Sequence, residues 1–133
     1  VSWFNFLVFK LFRTYLGNPD REHLIVALLN TRNNVVGLHT VSIGTINSSL
    51  AVGREIFKAA ILANSAAIIL CHNHCSGDPT PSPEDIVRTR ESMAVGQLLG
   101  IDVLDHIILG EGQSYTSLKE KGPWPSPGTL QFR

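Results

Sequence analysis

Apolar residues along this chain follow two rhythms. Residues 23–30 (HLIVALLN) and 66–73 (AAIILCHN) are apolar almost without interruption and are bounded by turn residues, as expected of strands buried on both faces. Residues 35–43 (VVGLHTVSI) follow the turn Thr31–Asn34 and predict an antiparallel partner for the first strand. Residues 101–109 (IDVLDHIIL) predict a further strand, and 114–118 (SYTSL) a last one at the sheet edge. The other rhythm is helical. Ile56, Ala59, Ala60 and Ala63 share a face of a helix over 54–65. Ile86, Met93, Val95, Leu98 and Leu99 are available for burial in a helix over 83–99, which Gly100 ends. Phe4, Leu7, Leu11 and Tyr15 form a stripe on a helix over 3–16, to pack on the domain or on a neighbour. Gly17–Asp20 closes that helix, and Gly44 with Asn47–Ser49 predicts a bend and a short strand or loop.

Helices alternating with strands predict an α/β fold, a mixed β-sheet flanked by helices. The expected organisation is an N-terminal helix over 1–20, one domain over 21–122 and a Pro/Gly-rich tail over 123–133. At 133 residues there is enough chain for one core and not two. The first helix does not read as a signal peptide, because no basic segment precedes it and Lys10 and Arg13 interrupt it. The chain starts without methionine and is expected to be part of a longer protein. Eleven basic and eleven acidic residues cancel, so no global field draws the chain to nucleic acid. Lys58, Arg88 and Arg90 read as a solvated face. Two cysteines, Cys71 and Cys75, do not make a disulfide scaffold. No stretch is long and apolar enough for a membrane helix, and the expected location is cytoplasmic.

Chemistry concentrates in residues 72–85, HNHCSGDPTPSPED, with the spacing H-x-H-x7-S-x2-D. On a strand, His72 and His74 point to the same face. A helix starting near Ser82 brings Asp85 back beside them. Two imidazoles and a carboxylate make a three-ligand zinc site with its fourth position open, the form of a catalytic site. Ser82-Pro83-Glu84-Asp85 is equally a good helix start, with Ser at the cap, Pro at N1 and an acid at N3. The two roles of Asp85 are compatible. The histidines decide for a site, because two imidazoles at the end of a buried strand are costly without partners. A closed structural site built from Cys71, Cys75 and a histidine is the rival. Cys71 lies on the wrong face for it and reads as a small buried hydrophobe.

The same residues resemble the JAMM motif of the MPN+ metalloproteases. The segments 41–50, 54–60, 72–74, 76–85 and 104–110 are similar to the RadC family, a bacterial branch, over about residues 20–122. Such proteins usually carry an N-terminal helix-hairpin-helix region, which these residues do not contain. The resemblance implies a cytidine-deaminase-like MPN fold. It implies zinc held by His72, His74 and Asp85, Glu22 ahead of the first strand as the acid/base, and Ser82 stabilising an oxyanion. Glu55, the other candidate base, reads as a helix-start acid placed for the dipole. Asp78 shapes the loop or orients a ligand histidine, with the turn role preferred. His39 and His106 read as buried, hydrogen-bonded histidines, and His23 points away from Glu22. The sequence departs from the family at Cys75, where proline is usual.

The expected function is a zinc metalloprotease cleaving a peptide or isopeptide bond in an unidentified peptide or protein. The alternative is a DNA repair-associated accessory protein without protease activity, which rests on the resemblance alone. A complete ligand set argues against a non-catalytic scaffold. Nucleic-acid binding is left open, no membrane partner is expected, and the apolar face of the first helix suits a homo-oligomer.

Overall fold

The computed structural model describes residues 3–17, 19–41 and 49–127, with the backbone alone for 49–51. The elements in order are α1 (Trp3–Leu16), β1 (Leu24–Leu29), β2 (Val35–Val41), α2 (Ser49–Leu62), β3 (Ala67–Asn73), α3 (Pro83–Leu99), β4 (Asp102–Leu109), β5 (Tyr115–Ser117) and α4 (Leu118–Lys121). The strands form one sheet in the order β2-β1-β3-β4-β5. β1 runs antiparallel to both β2 and β3, β3 is parallel to β4 across the α3 crossover, and β5 closes antiparallel to β4. The chain is therefore a mixed α/β sheet flanked by helices, as the two rhythms predicted.

Each face of the sheet carries its own core. On one side Val8, Phe9 and Phe12 of α1 cover Ile25, Ala27, Ile69, Cys71 and Ile107. On the other, Ile56, Phe57 and Ala60 of α2 cover Leu24, Val26, Ile68 and Leu70. Every residue of β1 and β3 is buried, which explains their unbroken apolar runs. A fully buried large aliphatic side chain contributes roughly 1.5–3 kcal/mol, so β1 and β3 are the firm centre from which the site is hung.

Several expectations change in detail. The α1 stripe, expected to pack on the domain or on a neighbour, does not pack on the domain: Leu7 is 60 % exposed and Tyr15 50 %. The packed face is Asn5, Val8, Phe9 and Phe12, and Phe4 only leans on the core. α1 is apolar nearly all round, so periodicity alone does not choose its inner side. α3 likewise turns inward Asp85, Thr89, Ser92 and Gly96, which are small or polar, while Leu98 and Leu99 are exposed. α2 starts at Ser49, five residues before the expected start, which takes Glu55 out of the first turn. The expected last strand ends at Ser117, whose side chain accepts from the Glu120 amide and starts the short helix α4. Part of the expected tail is packed: Pro125 is buried and Trp124 lies against the core under Lys119 Nζ, 5.9 Å from the ring centre. Residues 42–48, with the expected bend at Gly44, lie outside the described residues.

Candidate metal centre

The site forms where β3 ends and α3 begins. Leu24, Leu70 and His72 belong to one face of the sheet, the face that α2 and α3 cover. α3 starts with a capping box. The Ser82 hydroxyl accepts from the Asp85 amide (3.2 Å) while Asp85 Oδ2 accepts from the Ser82 amide (2.8 Å). That box fixes the Asp85 carboxylate, and the helix carries it under the histidines. His72 Nδ1 lies 2.7 Å from Asp85 Oδ1, and His74 Nε2 lies 2.8 Å from Asp85 Oδ2. Their ligand atoms lie within 4.8 Å of one another, as one cation requires. The acid of the capping box is thus also the acid of the cluster, with each carboxylate oxygen serving one ring.

Asp85 is completely buried. Burial alone would raise its carboxyl pKa, but the His72 ring and the Ser82 amide outweigh it and hold the group well below the ordinary carboxylate range. An ionised, buried carboxylate is poised for a cation. His72 adds a second sign. Its Nε2 lies 3.0 Å from Glu22 Oε1, an ion-pair distance, yet it is buried and makes no hydrogen bond. An orphaned buried ring nitrogen is costly in a site with no further purpose. The residues therefore fit a metal. Two imidazoles and one carboxylate suit zinc, and Glu22 lies beside the His72 ring in the same cleft.

Glu22 precedes β1 and is half exposed, at 48 % of its side chain. It lies on the His72 face because Leu24, two residues on, pairs with His72. A cleft of about 450 Å³ opens there, lined by Glu22, His72, His74, Ser76, Ser82, Pro83 and Glu84. Ser82 lies at the cleft, but its hydroxyl donates to Asp85 Oδ2 (2.9 Å).

The loop between the ligands is held by its backbone. The His74 amide donates to Leu109 O and the Glu111 amide to Gly77 O, each at 2.9 Å. Gly77 turns with φ +85°, and a Cβ at Gly110 would stand 2.6 Å from Gly77 O and 2.8 Å from Pro79 Cδ. The pairing positions the Asp78 carbonyl 3.0 Å from His74 Nδ1, which leaves Nε2 facing Asp85. Asp78 thus serves both expected roles, since its carboxylate accepts from the Thr80 amide (3.0 Å) and hydroxyl (2.7 Å).

Other expectations fall as follows. Cys71 is buried in the α1-side core and Cys75 is exposed, so the closed cysteine site does not form. Glu55 is mid-helix and does not line the cleft. His39 is only half buried, on the edge strand β2, which corrects its reading as a core histidine. His106 is fully buried, and burial, the largest influence, lowers its pKa to about 3 and keeps it neutral. The Thr89 hydroxyl donates to Asp85 O (2.7 Å) and lies 2.7 Å from His106 Nδ1, bracing the first turn of α3. The sequence reading missed Thr89 and Asn73. Thr89 lies four residues after Asp85, one helical turn on, a signal that was there to use.

The fold is thus a five-stranded mixed sheet that carries, at a strand-to-helix junction, a His-His-Asp cluster able to hold a metal ion. The sequence also matches the RadC-like JAB domain over residues 6–123, and the chain belongs to that family. It is 57 % identical over 107 residues to a UPF0758 protein of Desulforamulus reducens, covering 80 % of this chain and 47 % of that one. A UPF0758 protein of Moorella thermoacetica is 50 % identical over 127 residues, covering 85 % of this chain and 55 % of that one. One of Chloroflexus aggregans is 50 % identical over 115 residues, covering 86 % and 50 %. The chain spans about half the length of these curated relatives. Among the described residues, no helix is long and apolar enough to cross a membrane.

Proposed function

We propose that this domain holds zinc through His72, His74 and Asp85 and hydrolyses a peptide or isopeptide bond. The observation that carries the reading is the buried, ionised Asp85 shared between two imidazoles, with the orphaned His72 Nε2 turned to Glu22. Bound there, zinc would supply a water ionised near neutral pH and polarise a carbonyl. Glu22 takes the proton of the attacking water and returns it to the leaving amine, because it is the cleft carboxylate that reaches a ring of the cluster, 3.0 Å from His72 Nε2. The Ser82 hydroxyl stabilises the oxyanion by swinging from Asp85 Oδ2 toward the cleft, a turn about one side-chain bond.

The cleft also bears on the substrate. Glu22 and Glu84 are its acidic lining groups, and among the described residues no lysine or arginine lines it. Apart from the metal itself, a phosphodiester backbone would meet carboxylates and no cationic side chain to hold its further phosphates, so the cleft favours a peptide over nucleic acid. The test is Glu22→Gln in zinc-loaded protein against a fluorogenic peptide mixture. Zinc content stays, and turnover falls about 10²–10⁴-fold, the usual contribution of a general base. Loss of zinc in that variant would make Glu22 a ligand, and undiminished turnover would remove it from the reaction.

A further inference from the structure

Asn73 stands between the two histidines in sequence and, by strand alternation, does not share their face. It is buried, at 4 % exposure, in the last position of β3. Its side chain spans the segment that carries Glu22. The His23 amide donates to Asn73 Oδ1 at 2.6 Å, and Asn73 Nδ2 donates to Arg21 O at 3.0 Å. The Asn73 amide reaches His23 O at 3.4 Å, and Nδ2 also lies 4.0 Å from Cys75 Sγ. The two peptides flanking Glu22 are thus gripped by one side chain, one through its N–H and the other through its C=O. The main-chain partners fix the amide orientation. A flipped amide would set donor against donor and acceptor against acceptor.

We propose that Asn73 is a positioning residue that holds Glu22 at the open side of the metal centre, an inference that rests on the hydrolase reading above. Glu22 lies ahead of β1, and its side chain is half exposed. Its Oε1 nevertheless stands 3.0 Å from His72 Nε2. β3 runs beside the start of β1, with His72 paired to Leu24, and Asn73 is its last residue. The residue that separates the two ligand histidines therefore ties the base to the same strand, so that ligands and base move together. A shift of about 1 Å in a reacting group can cost 10²-fold in rate, which is the scale on which such a tie matters.

The probe is acetohydroxamic acid, which binds zinc as its anion. The proton it loses goes to a carboxylate beside the metal, here Glu22, so its affinity reports the placement of that carboxylate without any turnover. Zinc content, melting midpoint and acetohydroxamate affinity are measured for the wild type, Glu22→Gln, Asn73→Ala and the double variant. All four are expected to keep zinc. Glu22→Gln and Asn73→Ala each bind acetohydroxamate at least about tenfold more weakly, the scale of outer-shell losses. The double variant is no weaker than Glu22→Gln, because a misplaced base and an absent one are the same defect. If Asn73→Ala fails to fold, Asn73→Asp keeps the acceptor for the His23 amide, loses the bond to Arg21 O and weakens the probe in the same direction. Wild-type affinity in the Asn73 variants beside weakened Glu22→Gln would overturn the positioning role and leave the hydrolase reading standing. Wild-type affinity in Glu22→Gln would overturn both.

Discussion

Asp85 and Asp105 are the same residue at the same depth, 0 % and 2 % exposed, and the protein treats them in opposite ways. Asp105 joins α1, β4, β5 and α4. The Ser117 hydroxyl donates to its Oδ2 (2.5 Å), and the His106 and Lys119 amides donate to Oδ1 (2.7 and 3.1 Å). The Asn5 side-chain amide adds a bond to Ser117 Oγ (3.2 Å). These partners are neutral dipoles, and burial, the largest influence, raises the Asp105 carboxyl above its usual 3.8 despite them. At Asp85 the imidazoles and the Ser82 amide overcome the same burial. One cluster is closed and satisfied among neutral groups. The other is ionised, opens on a cleft and leaves a ring nitrogen without a bond. The contrast separates a joint from a site: a buried carboxylate is ready for a cation only where its surroundings favour its charge.

The sharpest break of that contrast is Asp85→Ala. It removes a ligand and the helix cap together, so zinc affinity falls by more than the roughly 10–100-fold typical of outer-shell losses. Isothermal titration with zinc measures it, and unchanged affinity would reduce Asp85 to a cap. Asp105→Ala acts the other way. It strands the Ser117 hydroxyl and the buried His106 amide and costs about 2–3 kcal/mol of stability. Zinc binding stays at the wild-type level, as urea unfolding and metal titration together would show. The smallest effect is the dependence on pH, measured on zinc-free protein so that metal binding does not enter. The folded Asp105 carboxyl holds its proton more tightly than the unfolded chain does. Its contribution is full below about pH 4 and is lost as pH rises through the raised value. The stability of the wild type relative to Asp105→Asn should therefore fall as pH rises above about 4. For Asp85, whose folded value is lowered, the contribution is present above the usual 3.8 and is lost as pH falls further. A relative stability of Asp105→Asn that does not change with pH would contradict the assignment.

What the sequence made legible was local. The runs of β1 and β3 announced buried strands because both faces are covered, and 83–99 was read to the residue because Ser82-Pro83 and Gly100 bracket it. The metal cluster was legible for the same reason. Strand alternation aligns His72 with His74, and a capping box fixes Asp85. Tertiary choices were not legible. α1 has large apolar side chains on every side, so the choice of Val8, Phe9 and Phe12 over Leu7 and Leu11 is made by the groove it meets. The start of α2 at Ser49 lies in Ser-Leu-Ala-Val-Gly, which carries no helical stripe. Asn5 meets Ser117 across 112 residues, and Asn73 meets Arg21 across 52, distances over which no periodicity speaks.

The central claim is a zinc centre on β3 and α3. Its most direct test is the metal content of the purified protein by elemental analysis, wild type beside His74→Ala. The account predicts one zinc per chain in the wild type and none in the variant, with both proteins folded by circular dichroism. A wild type that takes up no zinc, or zinc that survives the loss of His74, would contradict it.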